Sequence, residues 1–290
     1  MKGFLKYVSL ILLTVVTLAY LADWLYTATF EKAPARNKFQ YILAMQPHEI
    51  DNVFLGSSRT ANHIVSSEFS RITGESAVNL GIEGAVFEDN LLELKLLLDR
   101  KVRIKTVYLQ VDYLFEKQGV SNIANSAALP FIRNGVVKSH LQSKLPDFKA
   151  AYYLPFYRYL SADYAIGFRE FFFSAVGKKN RIDFSDGFEA KPGNEKLSPL
   201  ELPKTISDSN ATLLEFEKIC KARDIKLVLF CAPLCSQTQN LDYVKKLKSK
   251  LPGLRDYSAA LPDSLFFNCG HLNEKGAYEF TEKLALDSEN

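Results

Sequence analysis

The sequence predicts an α/β fold: three layers, α/β/α, on a parallel sheet of five short strands, with a membrane helix in front and a helical, aromatic-rich insert. Three observations carry the prediction. Short apolar runs that end at glycine or a turn alternate with amphipathic stretches of helical length, which is the rhythm of βαβ units. Between Asp112 and about Lys204 that rhythm lapses and aromatic residues crowd together. Residues 7–30 form one apolar run carrying a single charge, Asp23.

The apolar run exceeds the roughly 20 residues that a bilayer-spanning helix needs. Trp24 and Tyr26 suit the lipid–water interface. A cleaved signal peptide wants small residues at −3 and −1. Tyr20 before Ala22 and Tyr26 before Ala28 put a bulky ring at −3, which favours an uncleaved anchor over residues 1–30. Lys2 and Lys6 would hold the start in the cytoplasm, placing residues 31–290 outside, in the periplasm or at the cell surface.

After a polar stalk, residues 51–56 read as a buried strand, 59–73 as a helix stopped by Gly74, and 77–80 as a second strand ended by Gly81 and Gly84. Leu91, Leu94 and Leu98 mark a helix over 87–100. Residues 106–111 form a third strand, rich in β-preferring side chains, and 226–231 a fourth, preceded by an amphipathic stretch over 208–223. A basic amphipathic helix over 239–250 ends at Pro252-Gly253; 265–267 is a short final strand or loop and 274–286 a closing helix. The insert, about 114–204, holds Tyr152, Tyr153, Phe156, Tyr159, Phe168 and Phe171 among its rings. It reads as a subdomain with its own small core, as a lid lining an acyl or sugar pocket, or as both.

Composition narrows the function. Hydrophobic residues make up 47% of the chain, enough for a sizeable core, and a mild, evenly spread net charge of +3 argues against a nucleic-acid partner. Cys231 and Cys235 lack the second pair that a zinc site requires, and no metal or organic cofactor is implied. Cys220 and Cys231 fall on apolar positions. Cys235 and Cys269 fall on loops where strands should end, which pairs them in an oxidising compartment.

Gly56-Ser57-Ser58-Arg59 lies where the first strand gives way to a helix. A serine there presents its hydroxyl at the sheet edge, beside backbone amides that favour an oxyanion; equally, Ser57 and Ser58 serve as plain helix caps. Gly84 after the second strand lets backbone approach a reacting carbonyl or makes a tight turn. His271, on a loop before the last helix, is placed to act as a general base. His48, His63 and His140 read as surface residues, although His63, a little over one turn beyond Ser58, has the position to line the pocket.

Taken together, residues 53–60, 78–85, 108–113 and 256–277 resemble the blocks of the SGNH (GDSL-type) hydrolases, which frame roughly the whole part after the anchor. The Gly-Ser-Ser form with an N-terminal anchor is similar to the branch containing teichoic acid D-alanyl transfer and polysaccharide O-acetylation proteins. The resemblance implies a flavodoxin-like sheet, Ser58 as nucleophile and His271 as base, with Asn268 orienting the imidazole. It further implies an acyl donor, a glycan acceptor and a multi-spanning membrane acyltransferase as partners. Two positions depart from the family pattern. Asn268 stands where the acid of the triad is expected, with Asp263, Asp256 or Asp112 as conceivable substitutes. Asp112 stands where an oxyanion-binding Asn is expected, which leaves the amides of Ser58 and Gly84 for that task. Ser57 and Arg59 complete the set, Arg59 either binding a substrate carboxylate or packing beside the nucleophile.

Overall fold

A computed structural model describes residues 1–288; residues 289 and 290, the end of the domain expected over 31–290, lie outside the described residues. The chain opens with α1 (Lys2–Lys32) and α2 (Lys38–Ala44), then β1 (Glu49–Leu55), α3 (Ser58–His63), α4 (Ser66–Thr73), β2 (Ala77–Asn79), α5 (Phe87–Asp99) and β3 (Arg103–Gln110). Six short helices follow: α6 (Asn122–Ala128), α7 (Gly135–Lys144), α8 (Phe148–Tyr153), α9 (Tyr157–Ser161), α10 (Asp163–Ile166) and α11 (Phe168–Ala175). The remainder is α12 (Ala211–Ala222), β4 (Lys226–Cys231), α13 (Asp242–Lys250), β5 (Arg255–Asp256), β6 (Phe266–Asn268), β7 (His271–Leu272) and α14 (Glu274–Ser288).

The residues gather into two units, one of 1–44 with 122–180 and one of 45–121 with 181–288. The insert expected over 114–204 is therefore divided: its helical, aromatic part belongs with the N-terminal helix. The reason is apolar complementarity. Tyr26 of α1 stacks on Phe171 at 4.0 Å and meets Phe156 and Tyr159 at 4.9 and 5.0 Å, while Phe30 stacks on Tyr159 at 6.0 Å. Asp23, the lone charge of the apolar run, is buried here. Its carboxylate accepts from Arg158 and from the Phe156 amide, both at 2.9 Å, so the charge is met by protein. His140 is buried in this unit.

The second unit holds a five-stranded, all-parallel sheet in the order β2-β1-β3-β4-β5, flanked by helices. Strand residues two apart share a face. Phe54, Tyr108 and Val228 lie side by side in register and, with Phe230, pack against Phe69 of α4 and Phe280 and Leu284 of α14. Each such ring, fully buried, contributes about 1.5–3 kcal/mol. The opposite face carries Val53, Leu55, Val107 and Leu109, on the side of α5 and α12, which Lys95 and Glu215 tie together at 2.6 Å.

Two elements differ from expectation. The helix predicted over 59–73 is two helices, broken at Ile64-Val65. Ile64 turns extended, and Asn79 Nδ2 takes the carbonyls of Thr60 and Ile64 at 2.8 and 2.7 Å, so the broken ends are satisfied. The fifth strand of the sheet is Arg255–Asp256; residues 266–268 instead pair antiparallel with His271–Leu272 in a separate hairpin. The disulfide joins Cys235 to Cys269 beside that hairpin, with Cα atoms 4.9 Å apart. Cys220 and Cys231 are buried free thiols.

Candidate active site

The sheet order reverses at β1, with β2 on one side and β3 on the other, and the carboxyl ends of β1 and β3 flank the crevice where open parallel sheets bind ligands. Ser58 begins α3 directly beyond β1. The turn is tight: a Cβ at Gly56 would stand 2.1 Å from Thr60 Oγ1 and 2.7 Å from Gln110, so only glycine fits. Ser57 is the N-cap, its hydroxyl accepting from the Arg59 amide at 3.3 Å. Its amide and hydroxyl both donate to Gln110 Oε1, at 2.9 and 3.0 Å. Capping therefore falls to Ser57 and leaves the half-buried Ser58 hydroxyl for other work.

His271 Nε2 lies 2.9 Å from Ser58 Oγ, and its Nδ1 lies 3.0 Å from Asn268 Oδ1. The tautomer follows from one further bond. The Gly270 amide, an obligatory donor, gives its proton to the same Asn268 Oδ1 at 3.1 Å, so the amide oxygen faces the ring. Nδ1 must then carry the imidazole proton, and Nε2 is left as acceptor for the serine O–H. Behind Asn268, its Nδ2 donates to the exposed carboxylate of Glu195 at 3.3 Å, extending the chain to Ser58–His271–Asn268–Glu195. Burial, reinforced by the Lys191 and Arg59 charges, pushes the His271 imidazolium down to about 4, while the carboxylates of Glu83 and Glu195 pull the other way.

Of the remaining predicted residues, Arg59 and Asp112 belong to a buried polar group that Ser57 joins through Gln110. Arg59 and Asp112, both fully buried, pair at 2.5 Å. Arg59 also donates to the carbonyls of Ala232 and Pro233, at 2.7 and 2.6 Å, and Asp112 accepts from Gln110 and the Leu114 amide. Arg59 and Asp112 are thus fully buried and held by each other and by neighbouring protein groups. Breaking such a pair from one side costs roughly 3–5 kcal/mol. Asp263 and Asp256 are engaged with Ser236 and Ser258, and the side chain beside His271 Nδ1 is Asn268. Gly84 is exposed in a turn with φ of 72°.

Three further residues contribute, of which the sequence places only His63 near the pocket. His63, expected at the surface, is fully buried; its Nε2 accepts the Leu272 amide at 3.1 Å, fixing the backbone next to His271, and burial holds its imidazolium well below the ordinary range. Tyr113 sits with its hydroxyl against Ser57, its ionisation pushed up mainly by burial. Glu195 arrives on an irregular strap. The strap is fixed by the Asn79 amide donating to Asp186, by Glu189 exchanging bonds with Ala61 and Asn62, by Lys191–Glu83 at 2.7 Å, and by the Glu195 amide donating to Phe267. Gly187, φ 79°, passes so close to the Asn79 carbonyl that a Cβ would overlap it.

No family model matches the chain, and no curated protein matches it either.

Proposed function

We propose that this chain is a serine ester hydrolase or O-acyltransferase that works outside the cytoplasm on cell-envelope or exported glycans. The observation that carries the reading is the Ser58–His271–Asn268 array, with both ring nitrogens of His271 in hydrogen-bond reach and the tautomer set by Gly270. Ser58 Oγ attacks an acyl carbonyl and passes its proton to His271 Nε2; His271 then protonates the departing alkoxide, leaving an acyl ester on Ser58. In the second half water or a glycan hydroxyl gives its proton to His271 and takes the acyl group, restoring the Ser58 hydroxyl. The Ser58 amide, first in its helix and without an intrahelical acceptor, and the Gly84 amide are the oxyanion donors of this reading. Resemblance to the SGNH hydrolases supports it, and so does the Cys235–Cys269 bridge, which belongs to an oxidising compartment. With α1 as anchor and Lys2 and Lys6 on the cytoplasmic side, the sheet unit faces outward, where a multi-spanning acyltransferase is the natural donor partner.

One observation favours a second reading, a glycan-binding or acyltransferase-scaffold protein of low activity: His271 is a weak base, held near 4 with an amide in place of an acid behind it. The deciding experiment treats the full chain in detergent with a fluorophosphonate and measures intact mass. The full chain is required because Tyr26 and Phe30 belong to the core of the first unit. Labelling lost in Ser58→Ala, kept in Ser57→Ala and weakened in His271→Ala supports the enzyme. A folded protein that takes no label, yet binds glycan with or without Ser58, sinks it.

A further inference from the structure

We propose that the first unit carries a second membrane-contacting element, the outer face of α11, which lies in the lipid headgroup region beside α1. Single exposed apolar side chains need no explanation, but a contiguous patch does. Phe168, Phe172 and Val176 are 67%, 50% and 59% exposed, and their spacing of four puts them on one helical face. That face adjoins α1: Phe171, between them in sequence, stacks on Tyr26 at 4.0 Å, and the Phe168 ring lies 6.4 Å from those of both Phe171 and Phe172. The apolar surface of α1, exposed through Trp24 and Leu25, therefore continues onto α11.

Length and charge point to lipid as the occupant. From Lys6 to Asp23, α1 rises only about 25 Å at 1.5 Å per residue, short of the roughly 30 Å hydrocarbon core. Beyond Asp23 the helix is partly wrapped by the helices around it, so apolar side chains on α11 complete the band. Basic groups flank it: Lys178 stands 3.9 Å and Arg169 5.6 Å from the Phe173 ring centroid. The first unit as a whole carries thirteen Lys and Arg against five Asp and Glu, in a chain whose net charge is only +3. A short apolar stripe bordered by cations is the composition of an interfacial helix that prefers anionic lipid.

The inference rests on α1 lying in a bilayer, and the test separates the two. The full chain is placed in vesicles of phosphatidylcholine and phosphatidylglycerol bearing a doxyl group near the top of the acyl chain. Trp24, the only tryptophan, reports on the anchor in the wild type. Phe168→Trp in a Trp24→Phe background reports on α11, and Leu214→Trp, at an exposed position of the second unit, reports on water. The expected result is strong quenching by doxyl lipid and protection from aqueous iodide at Trp24 and in Phe168→Trp, with the reverse in Leu214→Trp. Iodide access in Phe168→Trp while Trp24 is quenched by lipid overturns the proposal and leaves the anchor standing; a surface covered by a partner protein gives this outcome. Iodide access at both positions overturns anchor and proposal together.

Discussion

Replacing Asn268 by Asp restores an acid behind His271, and the structure sets what that achieves. One carboxylate oxygen would lie about 3 Å from His271 Nδ1, where an opposite charge raises an imidazole by roughly 1–3 pKa units. That is at most about 1.4–4 kcal/mol of imidazolium stabilisation. Because the imidazole is already in the productive tautomer, the full ~10⁴ penalty of a lost triad acid does not apply, and a gain on the order of tenfold in acylation is expected. The second oxygen, however, replaces an N–H that donates to Glu195 at 3.3 Å, and two carboxylates now face each other. Glu195 is exposed, so the water limit applies and the repulsion is about 1 kcal/mol, roughly fivefold in the folding equilibrium. That repulsion is present both before and during proton transfer, so it falls on stability and not on the labelling rate. Glu195→Gln therefore lowers the His271 pKa and slows fluorophosphonate labelling in either background, and in the Asn268→Asp background it also returns about 1 kcal/mol of stability. Second-order labelling rates for the four proteins measure this, and an NMR titration of His271 reads the same coupling without any turnover. Faster labelling after Glu195→Gln in either background, or slower labelling in a folded Asn268→Asp protein, would refute the relay.

The other predictions concern pH and the disulfide. A base held near 4 is neutral above that value, so the acidic limb of the labelling rate should fall near pH 4 rather than 6.5; a limb near 6.5 contradicts the burial argument. Stability follows the same shifts. His271 and His63 both have folded pKa values below the unfolded one, so the unfolded chain binds more protons between about pH 6.5 and 4 and stability drops on acidification through that window. The slope is up to about 1.4 kcal/mol per pH unit per histidine, and thermal melts of His63→Gln should show a shallower decline. Cys235→Ser/Cys269→Ser opens a loop of 34 residues and should lower unfolding stability by about 4 kcal/mol on the chain-entropy account; an unchanged denaturation midpoint would mean that the bridge constrains nothing.

Much of the architecture follows from local pattern. Strands at 51–56, 77–80, 106–111 and 226–231 announce themselves as apolar runs between glycines and amphipathic helices, and the observed β1 to β4 fall on them. The break at Ile64-Val65 escaped because it depends on Asn79, fifteen residues away, taking up the freed carbonyls. The fifth strand escaped because Arg255–Asp256 is two residues long and polar, and joins the sheet only through its pairing with Phe230 and Cys231. What Asp112 pairs with was not decidable from its position in the chain, because Arg59, one residue past Ser58, meets it only in the fold.

The sequence alone determined the apolar N-terminal helix, the alternation that yields a parallel sheet, and the residue types Ser58, His271 and Asn268 at the ends of particular elements, because hydrophobic periodicity and turn chemistry act over a few residues. The tertiary structure alone decided which hydroxyl is free and which is a cap, which nitrogen of His271 bears the proton, that Glu195 stands behind Asn268, and that the aromatic residues of the insert close on α1. The cap and the tautomer turn on the orientation of neighbours two and three residues apart. The Ser58–His271 contact, Glu195 and the closure on α1 instead need side chains tens of residues or more apart brought within about 3–5 Å, where hydrogen bonds and ring contacts act, and no local pattern encodes such a meeting.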